Sequence, residues 1–352
     1  MDKNIAAHSN KCSGCGGGMV YNPDTGKLLC NACAREKEIE QAKNYQKHNY
    51  IENENKIEVD QAWAQDGKYM KCPNCGAEVV LKNFDISSAC PYCSSALVAS
   101  NDNIHALKPD AVIPFKFGKQ KAEALFKAKI KKNWFAPKKF KQSIKADEIQ
   151  SYYFPAFVFD ADSFSVYSGR LYKEERYTDS EGDSRTRRRY FNIKGEKSTS
   201  HRGIEVEAST KLEQQELNWV RPYDFNDAVS YNNDFISGFC LECYSSSLNE
   251  TEKQAKELIK KEIQAAILNQ YNYDGVSSLN IDSNFSNEKY AYCALPMYRI
   301  NYTYKDKKYS NVMNGQTGAL GGKIPKSPWK IGLTALPIII TILIFVLFVI
   351  LM

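Results

Sequence analysis

The sequence predicts an α+β protein assembled from two small four-cysteine zinc ribbons, a mixed α+β body and one C-terminal transmembrane helix. Three observations carry this expectation. Eight of the eleven cysteines fall in one four-cysteine pattern used twice. The long middle region mixes alternating aromatic runs with helical stripes. The chain closes on twenty residues without a charge, Leu333 to Met352. At 352 residues it is too long for one small module, and the segments partition as 1–35 (ribbon 1), 36–68 (charged helical linker), 69–100 (ribbon 2), 107–322 (body) and 331–352 (tail).

The first cysteine set is Cys12-x-x-Cys15 and Cys30-x-x-Cys33; the second is Cys72-x-x-Cys75 and Cys90-x-x-Cys93. Every cysteine of the second lies sixty positions after its counterpart in the first. Two knuckles donating two thiolates each can close a tetrahedral site, which predicts two structural zinc ions, with iron as the alternative occupant of the same geometry. Gly16 and Gly76 suit the tight turn that follows the second cysteine of a knuckle. A coordinatively closed site holds a small unit together and leaves no open position for a reacting water. A cytosolic chain keeps its thiols reduced, so metal is the default reading and disulfides are not expected.

Between the ribbons the charged stretch reads as a helix over 34–47 followed by a linker. The body opens with the strand AVIPFKF and the helix GKQKAEALFKAKIKKNW, whose apolar face would carry Leu125, Phe126, Ile130 and Trp134. SYYFPAFVFDADSFSVYSG reads as a long strand, and residues 170–208 as a polar hairpin with the basic tip RTRRRY at 185–190. A helix follows over 251–269, with Ile259, Ile263, Ala266 and Ile267 as its buried stripe. Then come two strands turned by KDKK, and a tight turn at Asn314-Gly315. Phe154-Pro155 is echoed by Leu295-Pro296, and Ile113-Pro114-Phe115 by Arg221-Pro222-Tyr223, which suggests an internally duplicated body.

The uncharged tail would span about 30 Å as a helix, the depth of a bilayer's hydrocarbon core. Lys323, Lys326 and Lys330 precede it, and the N-terminal stretch has no apolar signal region. The expectation is a single-pass tail anchor in the cell membrane with the N-terminal bulk in the cytoplasm.

Motifs for catalysis are missing from the sequence. GQTGALGGK lacks the spacing and the Ser/Thr of a phosphate-binding loop, the four histidines form no metal-protease motif, and there is no nucleophile elbow. No enzyme activity, catalytic residue or small-molecule substrate is expected. Cys240-x-x-Cys243, with Cys293 or His201, can be read as a redox pair or half a third metal site, but its apolar setting favours simple packing. Two basic patches stand out although net charge is only +6. One centres on Lys131, Lys132, Lys138 and Lys139 and the other on Arg185, Arg187, Arg188 and Arg189. Each is read as a solvated face, an anionic-lipid contact or, less favoured, a nucleic-acid contact.

The segments KCPNCGAEVVLKNF, SACPYCSSALV, LKPDAVIPFKF, YYFPAFVFDAD, ISGF and ALPMYRINYTYKDKKY…MNGQTGALGGKIP resemble those of bacterial membrane proteins with TFIIB-type zinc ribbons. The resemblance covers roughly 72–330 and extends to the first ribbon. Phe157 and Met297-Tyr298 stand where that family often carries tryptophan, and Cys240 and Cys243 look private to this chain. Such proteins are often labelled primosomal helicase-like. The resemblance implies no enzymatic activity and a link to membrane-stress assemblies that contain phage-shock-protein A and SPFH scaffolds. The expected function is a membrane-tethered adaptor with protein partners, and the rival is a membrane-tethered nucleic-acid binder.

Overall fold

The computed structural model describes residues 11–50, 68–81, 89–93, 95–99, 107–143, 149–212 and 214–351. Two strands dominate it. β9 (Ile149–Thr178) and β13 (Gly275–Tyr304) are each 30 residues long and pair antiparallel along most of their length. Their inner stretches, Tyr152–Ala161 and Tyr290–Ile300, are almost continuously buried, as expected of strands covered on both faces. Beyond Asp162 they leave the body as an arm, joined by β10 (Ser184–Glu207), which folds back along β9.

The body runs through one order twice. Short β8 (Ala111–Val112) is followed by helices α1 (Lys119–Lys132) and α2 (Lys138–Ser143), long β9 and return strand β10. Short β12 (Cys240–Glu242) is followed by helix α4 (Leu248–Leu268), long β13 and return strand β14 (Lys307–Asn314). Each short strand lies parallel to the other half's long strand: β8 on β13 (Ala111 opposite Cys293) and β12 on β9 (Cys240 opposite Tyr152). The echo between Phe154 and Leu295 has a structural basis, since these two residues face each other across the central pair. The second echo does not: Ile113 follows β8, whose counterpart is β12, while Arg221-Pro222 is a cis peptide after helix α3 (Gln214–Val220).

Local chemistry explains most element boundaries. Ser247 and Glu250 form a capping box at the start of α4, and Ile259, Ile263 and Ile267 bury as anticipated. Lys305 and Asp306, both at positive φ, make the two-residue turn between β13 and β14. Asn314 closes the next turn by accepting the Gln316 and Thr317 backbone N–H groups at 2.7 and 2.9 Å.

The structure corrects two expectations. Residues 34–47 form no helix: β3 (Glu36–Lys37) pairs with β2 (Lys27–Cys30), and the chain beyond is an extended strap. Ser230 holds this strap, donating its N–H to the Ala42 carbonyl at 2.7 Å and its hydroxyl to that of Asn44 at 2.9 Å. On α1, Ala122, Phe126 and Ile130 are buried, but Leu125, and Trp134 in the turn that follows the helix, face outward at 38% and 57% exposure. The apolar run around Cys240, read as a packed segment, is a 3-10 turn (Asn233–Ile236) leading into the buried strand β12.

The ribbons attach differently. Ribbon 1 is its own sheet, β1 (Met19–Asn22), β2 and β3, docked by two reciprocal bonds: Tyr21 N–H to Ser237 O and Ser237 Oγ to Met19 O, both 2.8 Å. The Tyr21 ring packs edge-on to Phe235 at 5.5 Å, and its hydroxyl reaches the Phe115 carbonyl. Ribbon 2 is continuous with the main sheet, because β6 (Glu78–Leu81) pairs with β12, Val80 opposite Leu241.

The chain ends in helix α5 (Pro328–Leu351). Its side chains at 338–339, 344–345 and 347–351 lie outside the described residues. Among the described residues no helix is long and apolar enough to cross a membrane.

Candidate metal centres

Each cysteine set converges. In ribbon 1 the sulfurs of Cys12 and Cys33 lie 3.6 Å apart and those of Cys15 and Cys30 3.5 Å. In ribbon 2, Cys72–Cys93 and Cys75–Cys90 are both at 3.5 Å. Within each set all four sulfurs fall within 4.8 Å of one another. Four thiolates at about 2.3 Å from a central ion would stand roughly 3.8 Å apart, so both sets are sized for one tetrahedral metal ion.

The backbone prepares these sites. Gly16 and Gly76 take φ of 73° and 69°, and their N–H groups bond to the carbonyls of Cys12 and Cys72, both at 2.8 Å. Ala34 holds the matching left-handed position after Cys33 without glycine's freedom, at φ 57°. The Gly14 N–H points at the Cys12 sulfur, 3.4 Å away. That donor and the one from Cys15 draw the Cys12 thiol down to about 6, while, against the Arg35 backbone donor, hydrogen bonds with Cys15, Cys12 and Cys30 push the Cys33 thiol of the same set up to about 12.

The two sites differ in setting. Cys15 and Cys33 are exposed, so site 1 lies near the surface. Cys72 and Cys90 are buried in the same apolar cluster as Phe154, Leu295 and Met297. Tyr92, inside the last knuckle, donates its hydroxyl to Glu242 of β12, and its carbonyl accepts from Asn301 Nδ2 at 3.0 Å. Lys211 Nζ caps the Cys75 carbonyl at 2.9 Å. Glu242 also accepts from Ser209. Burial pushes its carboxyl up to about 7, while Ser209, Tyr92 and Arg299 oppose the shift. Sequence reading missed this clamp; the one available signal was an acid placed inside the apolar run FCLECY.

The other candidates separate. Cys240, Cys243 and Cys293 are each buried and join no metal-competent group among the described residues. Burial pushes the Cys240 thiol up to about 12 and the other two upward as well, which suits inert packing. His201 lies elsewhere, under α4. Its Nδ1 is 2.6 Å from Glu262, and its Nε2 is 2.8 Å from the Thr199 hydroxyl and 3.3 Å from that of Ser163. This is the order of a hydroxyl–imidazole–carboxylate relay, which sequence reading did not find. Ser163 and His201 are buried beneath the helix, at 5% and 4% exposure, while Thr199 is half-buried, and the bond to Glu262 pins the arm to α4.

The basic patches also part company. The tip arginines face acids across the hairpin: Arg185 on Asp179, Arg187 and Arg189 on Glu175, and Arg188 on Glu174. Arg188 further lies over the Tyr172 ring at 4.6 Å. Three acids thus partly neutralise the four arginines. Lys131, Lys132, Lys138 and Lys139 on α1 and α2 are exposed and have no ion-pair partner among the described residues.

One half-buried acid sets a pH dependence. Glu207 lines a cleft with Arg221, Lys253 and Lys261, and its Oε1 is buried without a hydrogen-bond partner. Burial, then the charges of Glu242, Glu216 and Glu205, push its carboxyl up to about 9 against the pull of Arg221. The folded chain then holds a proton that the unfolded chain releases, and stability falls as pH rises from about 4.5 to about 9. Glu207→Gln should melt a few degrees above the parent at pH 8 and level with it at pH 4, by scanning calorimetry. An equal offset at both pH values would refute this account.

No family model matches the chain, and no solved structure matches it. It is 28% identical over 327 residues to the protein YdjG of Bacillus subtilis (strain 168), described as uncharacterized, with 92% of each chain covered.

Proposed function

We propose that this chain is a tail-anchored, cytosol-facing adaptor whose two zinc-filled ribbons act as rigid interaction modules on an α+β platform at the membrane. The observation that carries this reading is the pair of four-sulfur sites, each fixed to the body, one through Tyr21 and Ser237 and the other through the shared sheet. A tetrahedral site filled by four cysteines is closed, so its zinc supplies rigidity and no reacting water. The anchor rests on the uncharged run Leu333–Met352 with Lys323, Lys326 and Lys330 before it. A place in a membrane-stress assembly rests on the family resemblance alone.

Two measurements test the reading. Full-length protein expressed in a bacterium should stay in the membrane pellet after carbonate extraction, with protease from the cytoplasmic side degrading the body; release into the supernatant would sink the anchor. The zinc-loaded full chain in detergent should bind duplex and single-stranded DNA no more tightly than the roughly 10⁻⁴–10⁻⁶ M of non-specific contacts at physiological salt. Tighter binding that disappears with a ribbon cysteine replaced would favour the nucleic-acid rival.

A further inference from the structure

The base of the terminal helix is fastened to the lysine-rich helices. The Ser327 N–H bonds to the Phe135 carbonyl at 2.8 Å, just before α5 begins. Lys330 Nζ donates to the carbonyls of Trp134 and Ala136 at 2.8 and 3.1 Å, and lies 5.1 Å above the Trp134 ring. The turn between α1 and α2 is thereby held within one helical turn of Ile331, where the apolar run starts. On that turn Trp134 is 57% exposed, and Trp329, the residue before Lys330 on α5, is 79% exposed. Lys131 and Lys132 flank it on one side, Lys138 and Lys139 on the other, all exposed and without an acidic partner among the described residues.

Packing does not account for this combination. A solvated helix face has no use for an outward tryptophan, and a helix with a purely structural role places it inward, as α1 does with Phe126 and Ile130. An indole beside uncompensated lysines matches the chemistry of a lipid interface, where the ring sits at headgroup depth and the ammonium groups meet phosphates. The tip arginines lack that chemistry, since acids already satisfy them.

We infer that the α1–α2 turn is a second membrane contact, which seats on anionic phospholipid headgroups beside the anchor and fixes the body's orientation over the bilayer. This rests on the anchor reading above. It assigns the two basic patches different roles: the lysine patch meets lipid, and the arginine patch stiffens the arm.

The test uses the full chain reconstituted into vesicles of phosphatidylcholine alone or mixed with phosphatidylglycerol. Brominated lipids quench indoles that reach the interface, and the component lost in Trp134→Phe reports on Trp134. With phosphatidylglycerol present that component should be strongly quenched, and raised salt should reverse the effect. Changing Lys131, Lys132, Lys138 and Lys139 to glutamine should lower the docked-to-free ratio by about fivefold each, roughly several hundredfold together. Arg187→Gln with Arg188→Gln should leave it unchanged. A carbonate-resistant chain whose Trp134 stays unquenched in both vesicles overturns the docking face while the anchor stands. Equal loss from the arginine pair overturns it too, as does a lysine variant that loses affinity for duplex DNA while its quenching persists. A chain that carbonate releases overturns the anchor and the docking face together.

Discussion

Replacing Cys90 with serine should cost the chain far more stability than replacing Cys15, although each change empties one tetrahedral site. Cys15 is exposed, on a ribbon that is a sheet of its own and meets the body through the apolar side chains of Met19, Tyr21 and Leu28 and the bonds around Tyr21 and Ser237, so we expect its loss to loosen the ribbon more than the main sheet. Cys90 is fully buried in the cluster that also holds Phe154, Leu295 and Met297. Its site fixes the hairpin of β5 (Lys68–Lys71) and β6, and β6 extends the main sheet through β12. An emptied site there leaves buried thiols uncompensated and frees an edge of the central sheet. Metal binding in such units is folding free energy, so we expect on the order of 5 kcal/mol lost in Cys90→Ser against about 1–2 in Cys15→Ser. In melting terms that is a drop of about 10 °C or more against a few degrees. Metal analysis should find about one equivalent fewer in both variants, and calorimetry should separate them. Matching melting curves would mean that ribbon 2 is not integrated with the body in the way the shared sheet indicates.

The convergence of the two four-cysteine sets was legible in the sequence because its chemistry is local. Four residues separated as C-x-x-C twice specify a site whatever surrounds it, and the two left-handed glycines follow from the same turn. Helix α4 was legible for a similar reason, since its cap and its apolar stripe are short-range signals. Residues 275–288 were not read as strand. Their serines and asparagines have weak strand preference, and they extend only because they pair with β9. The strap at 38–47 has helical composition but is held extended by Ser230, nearly two hundred positions away. Charge was the least legible property. RTRRRY looks like a binding surface until the hairpin register sets Arg187 opposite Glu175 and Arg188 opposite Glu174. Lysines 131, 132, 138 and 139, by contrast, have no acidic partner among the described residues.

Arg299→Leu should destabilise the chain by about 3–5 kcal/mol, and the loss should be largely recovered when Glu216→Leu is added. Arg299 and Glu216 are 5% and 8% exposed and meet as a two-pronged pair, Nη1 to Oε1 and Nη2 to Oε2, both at 2.9 Å. Removing the guanidinium strands a carboxylate in an apolar cluster, and that penalty exceeds the worth of the pair itself. Two leucines leave neither member of the pair charged, although the double variant forgoes the bond from Arg299 to the Ser310 hydroxyl and the guanidinium's pull on the buried Glu242 carboxyl. Lysine should not substitute, because an ammonium cannot make the paired contacts of the planar fork. The guanidinium also lies 4.9 Å from the centre of the Tyr92 ring, whose hydroxyl is bonded to Glu242. The pair therefore supports the last knuckle of ribbon 2 from beneath, and the damage should be visible at the metal. Zinc transfer from site 2 to a chromogenic chelator should speed up in Arg299→Leu while site 1 releases at its normal rate. A large loss of stability with release from site 2 unchanged would show that Arg299 holds the body together without bracing the ribbon.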